Sequence, residues 1–376
     1  NAATSSLNFA AERLSTTASG LATNHYPEYT ISYASWYTTN ASVWTSGFFP
    51  GSLWRMYEVT NQSSFLNWAQ NWTDELKSQA SVCTIHDIGF IIFTSFGNGY
   101  RLTGNTDYRN TILQAAQKMS ALYGPTVGCI QLGWGNWHFP AAIDTMMNIE
   151  LLFWASKNGG QASWYNMARS HAYKTRQDFV RQDGSTYHIV DYDPSTGAVI
   201  SKSTLQGYST ESTWSRGQAW AIYGFTMSYR YTNDPNLLET ACKTADYFIG
   251  HVPADYVPFW DFNVPSIPNT ARDSSAAAIA ASGLLELSTL VNDSESKVKY
   301  YYAACHILES LCAKHVEGGY LAQNADNNPL SAGILMEGCQ NHPDSYSHGT
   351  VYNESLVFGD YYFIEALQRY KAIGPH

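Results

Sequence analysis

The sequence predicts an all-α protein, an (α/α)6 barrel of six inner and six outer helices with a β-hairpin loop. Three observations lead there. Helical periodicity dominates the chain. The helical segments are of two kinds, one amphipathic and one apolar almost all round. The two kinds alternate along the sequence, six of each.

The amphipathic segments are residues 8–22, 63–79, 108–122, 161–180, 236–250 and 296–314. Charges lie on one face and apolar residues on the other, as solvent-facing helices require. The second kind begins at residues 47, 87, 144, 216, 273 and 354, with runs such as GFFPGSLWRMYE, DIGFIIFTSFGNGYRLTG and DSSAAAIAASGLLELSTL. A helix apolar on every face is buried on every face. Six buried helices alternating with six half-exposed ones give an inner ring wrapped by an outer ring. A solenoid would need a tighter period and capping repeats. Long loops at 23–46, 123–143, 182–215, 251–272 and 318–353 precede inner helices, so they gather at one end of the ring, where function concentrates. One of them, TYHIVDYDPSTGAVISKST, alternates on both sides of Asp193-Pro194-Ser195-Thr196-Gly197 and reads as a hairpin. With no linker or low-complexity tract, residues 1–376 read as one domain.

Charge and composition exclude several functions. The net charge of −10 and the lack of any basic run argue against nucleic acid. An anionic substrate would therefore have to be drawn by a few local cations. No apolar run is long enough to span a membrane. Aromatic residues make up 15% of the chain, with 12 Trp and 27 Tyr. Such an excess suits a site for flat, partly apolar ligands such as sugars, and a tyrosine-rich core is the plain alternative. The six cysteines include no CxxC pair for a structural zinc. Cys305 and Cys312 share one predicted helix, where seven positions put their Cα atoms roughly 10 Å apart, too far for a disulfide. The sequence opens at Asn1 without Met and carries sequons at Asn40, Asn61, Asn71, Asn292 and Asn353. We expect a secreted glycoprotein on that basis, with a cytoplasmic or periplasmic protein as the alternative, since a trimmed start would look the same and composition alone would yield about as many sequons by chance.

Polar groups stand at the front edges of the buried helices: Asp87, Asp144, Arg216 and Asp273. A carboxylate beside an apolar helix is costly unless paired or used. Asp is also a favoured N-cap, and each could merely cap its helix. Asp273, before SSAAAIAAS, keeps that capping role. Asp87 follows His86, and Asp144 follows the aromatic loop GCIQLGWGNWHFP, so these two are the candidate acid/base pair. Trp44, Trp134, Trp137, Trp214 and Trp220 are candidate platforms for sugar rings, or core residues. Arg216 could pair with Asp87 or Asp144, or meet a substrate carboxylate. His188, near the hairpin, could donate to substrate or be a satisfied loop histidine. No GxSxG elbow, HExxH or phosphate-cradling glycine loop occurs, and the histidines are too scattered to suggest a metal.

The runs WTSGFFPGSLWRMYE, HDIGF, FPAAIDTMMNIELLFWAS, STWSRGQAWAIYGF, DSSAAAIAASGLLEL and GDYYFIEAL together resemble the unsaturated glucuronyl hydrolases, glycoside hydrolase family 88. The resemblance runs from about Trp44 to Leu367 and implies the same barrel. It carries the family's two essential aspartates onto Asp87 and Asp144. It also implies substrate contacts from His188, Gln206, Arg216 and Trp220, with Trp44 at the entrance; we add Trp134 from the aromatic loop. Thr145 departs from the family pattern, standing where Asn is expected, and so does Phe49, where Trp is frequent. The implied substrate is an oligosaccharide ending in a 4,5-unsaturated uronic acid, with no metal or organic cofactor. Asp144 would protonate C4 and then activate water, and Asp87 would hold sugar hydroxyls or that water. The rivals are an unsaturated rhamnogalacturonyl hydrolase acting on pectin fragments, a polysaccharide lyase on a toroid, and a non-catalytic carbohydrate-binding toroid.

Overall fold

The computed structural model describes residues 2–343 and 349–374. In chain order, α1 (Ala2–Gly20) leads to a hairpin of β1 (Tyr26–Ile31) and β2 (Ser35–Thr39), then to α2 (Phe48–Thr60), α3 (Ser63–Asp74) and a short α4 (Gln79–Val82). A π-helix over Gly89–Gly97 runs on into α5 (Asn98–Thr103) and is followed by α6 (Thr106–Ser120). Short strands β3 (Tyr123–Gly124), β4 (Cys129–Ile130) and β5 (Pro140–Ala142) precede α7 (Thr145–Asn148), α8 (Glu150–Lys157) and α9 (Ser163–Asp178). Next come β6 (Ile189–Tyr192), β7 (Val199–Ser203), α10 (Ser215–Thr232), α11 (Pro235–His251), α12 (Ser274–Leu290) and α13 (Ser294–Cys312). A 3-10 turn at His315–Glu317, β8 (Gly338–Asn341), β9 (Val351–Glu354) and α14 (Val357–Ile373) complete the chain.

The inner elements touch their neighbours in a closed cycle: α2, the π-helix, α7 with α8, α10, α12, α14 and back to α2. Outside them lie α1, α3, α6, α9, α11 and α13. The ring of six inner and six outer helices is therefore as the alternation predicts. The burial contrast explains it. In α10 every residue from Ser215 to Ser228 is buried, whereas α3 buries only Phe65, Ala69, Trp72 and Thr73. Each fully buried Leu, Ile or Phe contributes about 1.5–3 kcal/mol. Small residues let inner helices approach closely. A Cβ on Gly283 of α12 would lie 3.1 Å from the Tyr223 backbone of α10. Three of the outer helices start on Asx caps: Asn105 accepts from Asp107 N–H, Asp234 from Asn236 N–H and Asp293 from Ser296 N–H.

The structure differs from the sequence reading in two respects. First, the helix expected from Asp87 opens as a π-helix. The hydroxyls of Thr94 and Ser95 bond back to the carbonyls of Phe90 and Ile91, and such bonds compete with the ordinary i→i−4 amide bonds. Second, there are four small sheets among the described residues rather than one hairpin. The predicted hairpin is β6–β7, and β5 joins it as a third antiparallel strand. The hairpin β1–β2 was not foreseen because its turn lacks the usual markers. Ser32 and Tyr33 take φ of 50° and 62°, positions where Asn and Gly are the common choice.

Among the described residues all six cysteines are free, and no helix is long and apolar enough to cross a membrane.

Candidate active site

Strand pairing builds the site. Ala142 of β5 pairs with Ile189 of β6, and Ile143 N–H donates to the His188 carbonyl at 2.9 Å. The two chains thereby leave the sheet side by side, carrying Asp144 and His188 into one cavity. A second segment is locked to the first through Gly89. A Cβ there would lie 2.7 Å from Asn148 Cα, and Phe90 N–H donates to Asn148 Oδ1 at 2.6 Å. Only glycine allows this approach, which brings Asp87 beside Asp144.

The cavity is narrow, about 40 Å³, and is lined by Trp44, Asp87, Trp134, Asp144, His188, Gln206, Arg216 and Trp220, together with His86 and Trp214. All the residues assigned to the site from sequence except Trp137 thus lie on one wall or another. Trp137 packs instead against the small cluster of Leu132, Ala142 and Ile189 and lies edge-on to Trp134. Trp134 is 39% exposed at the rim, Trp220 is buried against Phe90, and Trp44 packs against Phe48, Phe90 and Phe358.

Neither Asp87 nor Asp144 is spent as a cap. Asp144 stands at the N-cap position of α7, yet its side chain makes no capping bond. Its Oδ1 is buried without a hydrogen-bond partner. His188 Nε2 lies 3.7 Å from this oxygen. Burial, opposed by the cationic potential of His86 and reinforced by the charge of Asp87, pushes the Asp144 carboxyl up to about 6. The Asp87 carboxylate lies 3.2 Å from His86 Nε2.

His188 is anchored in its loop through one ring nitrogen and lines the cavity. Its Nδ1 accepts from Leu205 N–H at 3.3 Å and lies 3.0 Å from Thr204 Oγ1. A nitrogen that accepts carries no proton, so Nε2 bears the hydrogen and presents it towards Asp144. Burial, then the charges of Arg216 and His86, pull the imidazole down to about 3, which keeps it neutral.

Arg216 corrects the sequence reading. It pairs with neither Asp87 nor Asp144; it lies 3.1 Å from Asp273 and bonds the carbonyls of Cys339 and Gln340. The reason is position: Asp273 opens the neighbouring inner helix α12, and β8 passes over both. Asp273 caps α12 as expected, accepting from Ser275 N–H at 3.0 Å. Gln206 Nε2 donates to the same Gln340 carbonyl at 3.0 Å. Cys339 and Gln340 were missed because they act through backbone oxygens, which leave no residue-type signal.

Arg216 also lies 4.5 Å from the Trp214 ring, and His188 is 4.4 Å from that ring. Asp191 supports the aromatic loop by accepting from His138 N–H at 3.0 Å and Phe139 N–H at 2.8 Å. Among the described residues no group of three or more His, Cys, Asp or Glu is placed to hold a metal ion.

Residues 16–317 match Glycosyl Hydrolase Family 88. The chain belongs to this family. It is 42% identical over 332 residues to an unsaturated glucuronyl hydrolase of Formosa agariphila, covering 87% of this chain and 79% of the relative. The solved structure of an unsaturated glucuronyl hydrolase specific for heparin superposes with a TM-score of 0.92 at 35% identity, covering 99% of this chain and 97% of the other. A mutant of the Streptococcus agalactiae unsaturated glucuronyl hydrolase complexed with dGlcA-GalNAc6S superposes with a TM-score of 0.82 at 29% identity, covering 98% and 90%. The family hydrolyses glycosides, so the chain is an enzyme of that class.

Proposed function

We propose that this enzyme releases a 4,5-unsaturated glucuronic acid from the non-reducing end of lyase-generated oligosaccharides, by hydrating the C4=C5 vinyl ether. The observation that carries the reading is Asp144: a half-buried carboxyl raised to about 6, with one oxygen buried and unpartnered, lining a cavity shared with Asp87 and His188. A carboxyl in that state can give a proton to carbon and then take one back.

Asp144 protonates C4, and the positive charge settles at C5 and the ring oxygen. Water adds to C5 as Asp144, now a carboxylate, removes its proton. The hemiketal opens, and the hemiacetal left at C1 expels the partner sugar. One water is consumed and Asp144 ends as it began. The charge of Asp87 keeps the acid form of Asp144 available. The Nε2–H of neutral His188 and the buried Arg216 guanidinium supply donors for an anionic sugar in an otherwise acidic protein. Trp220, Trp44 and the exposed rim residue Trp134 give apolar faces for rings. Gln206, tied to the Gln340 carbonyl, offers its amide oxygen.

Similarity to unsaturated glucuronyl hydrolases supports an unsaturated glucuronyl group over a rhamnogalacturonyl one. Accessibility supports reading the chain as a secreted glycoprotein: Asn40, Asn61, Asn71, Asn292 and Asn353 are all exposed. An endoglycosidase shift on the native protein tests that point.

Isotopes test the chemistry. In heavy water the released product carries one solvent deuterium at C4, and labelled water oxygen enters at C5, read by NMR of early product. Label at C1 with C4 unlabelled means direct displacement and sinks the reading. A saturated uronide with the same leaving sugar has no double bond to protonate and does not turn over.

A further inference from the structure

His86 sits between two residues that the proposed reaction does not explain together. Its Nε2 is 3.2 Å from Asp87 Oδ2, and its Nδ1 is 2.8 Å from Thr145 Oγ1. The ring is 2% exposed, Thr145 is fully buried, and the His86 backbone is fixed by its N–H to the Leu132 carbonyl at 3.0 Å. From this geometry we infer that Thr145 is a positioning residue: through His86 it fixes the orientation of Asp87. The inference rests on the reaction proposed above for what Asp87 then does, but the hydrogen-bond chain stands on its own.

The chemistry of each member sets the direction of the chain. A carboxylate oxygen can only accept, so the His86 nitrogen facing Asp87 carries a proton. In the neutral ring Nδ1 is then bare, and Thr145 O–H donates to it. In the charged ring Nδ1–H donates, and the same hydroxyl turns and accepts. A hydroxyl serves both states without moving its oxygen. An asparagine, which the family pattern leads one to expect here, would have to turn its amide over. Valine serves neither state.

The surroundings give His86 reason to change charge. Asp87 and Asp144 face it and favour the imidazolium, while burial opposes it, and the balance lifts the ring above its ordinary value. It acts in turn on His171 of α9, on His188 before β6, and on Asp144, which also feels Arg216 of α10. A cationic His86 holds Asp144 down, so any change that discharges His86 moves the alkaline limb of the rate upward in pH.

The experiment uses the full chain, wild type and Thr145→Val, Thr145→Ser and His86→Gln. Ring ¹⁵N NMR gives the tautomer and titration of His86, and steady-state rates on an unsaturated uronyl disaccharide are measured across pH. Neutral His86 is expected to carry its proton on Nε2, and in Thr145→Val it is expected to titrate at lower pH. The kcat of Thr145→Val falls roughly tenfold, the effect of one hydrogen bond, with a smaller change in KM. Its alkaline limb shifts upward, and Thr145→Ser recovers most of the loss. His86→Gln shows the same upward limb. A neutral His86 protonated on Nδ1, or a Thr145→Val enzyme with unchanged kcat and pH profile, overturns the inference. If Thr145→Val fails to fold, the wild-type tautomer and the Thr145→Ser profile decide it. If the wild type does not act on the disaccharide at all, the proposed reaction fails while the NMR still judges the chain.

Discussion

Replacing Asp144 by Asn should abolish activity and at the same time stabilise the protein. The side chain makes no capping bond, and its Oδ1 has no partner, so the isosteric amide breaks no hydrogen bond at that oxygen. What it removes is a charge held in an unfavourable place. The carboxyl is raised from 3.8 to about 6, which corresponds to about 3 kcal/mol at 1.36 kcal/mol per pKa unit. Because the folded value lies above the unfolded one, the native state binds the proton more tightly. No penalty exists well below pH 3.8; it builds as pH rises towards 6, and it is complete above that. The Asn variant should therefore melt with the wild type in acid and a few degrees higher at neutral pH, since each kcal/mol is worth a degree or more in a chain of this size. Turnover should fall by roughly 10²–10⁴-fold, the contribution of a positioned acid/base. Calorimetry at acid and neutral pH, alongside the absorbance assay for loss of the conjugated acid, reads both effects. Equal or lower melting at neutral pH refutes the electrostatic argument. Substantial turnover in a folded variant refutes the role.

Other perturbations test the surroundings. The wild-type rate should fall on the alkaline side near pH 6 as Asp144 loses its proton, and Asp87→Asn, which removes a like charge, should move that limb to lower pH; a limb that stays put means the two carboxylates do not interact. Arg216→Lys keeps a charge but cannot span Asp273 and two carbonyls, so both stability, by ~3 kcal/mol, and activity should drop; a variant that melts normally shows the guanidinium is not structural. Asp191→Ala frees the amides of His138 and Phe139 and so loosens the loop that carries Trp134. KM for the disaccharide should rise several-fold with a smaller change in kcat, and unchanged kinetics would detach that loop from substrate binding.

Most of the architecture was legible because burial writes itself into residue type. The inner helices read as apolar all round, and α10 and α12 are buried along most of their length. The β6–β7 hairpin was legible from the turn at Asp193-Pro194 and the alternation on either side of it. What could not be read was set by partners distant in sequence. The third strand, β5, is three residues long and has meaning only beside β6. The partner of Arg216 is Asp273, 57 positions away, and a carbonyl at Gln340 is 124 away. The π-helix depends on whether Thr94 and Ser95 turn their hydroxyls inward.

Asp144 and Asp273 show why residue type alone does not mark a functional carboxylate. Both sit at the N-cap position of an inner helix, and both are candidates for the same helix-dipole stabilisation. Asp273 is fully satisfied: it accepts from Ser275 N–H, Ser275 Oγ–H and Cys339 N–H, and it pairs with Arg216. A carboxylate so bonded has no free oxygen to offer a substrate. Asp144 heads a helix of only four residues, takes no cap bond and keeps one oxygen bare. Its proton is therefore retained by burial rather than displaced by donors. Adding one N–H or guanidinium donor to its free oxygen should lower its pKa and switch the site off without altering the fold. On the proposed reaction, the carboxyl that this helix start leaves unsatisfied is the acid itself.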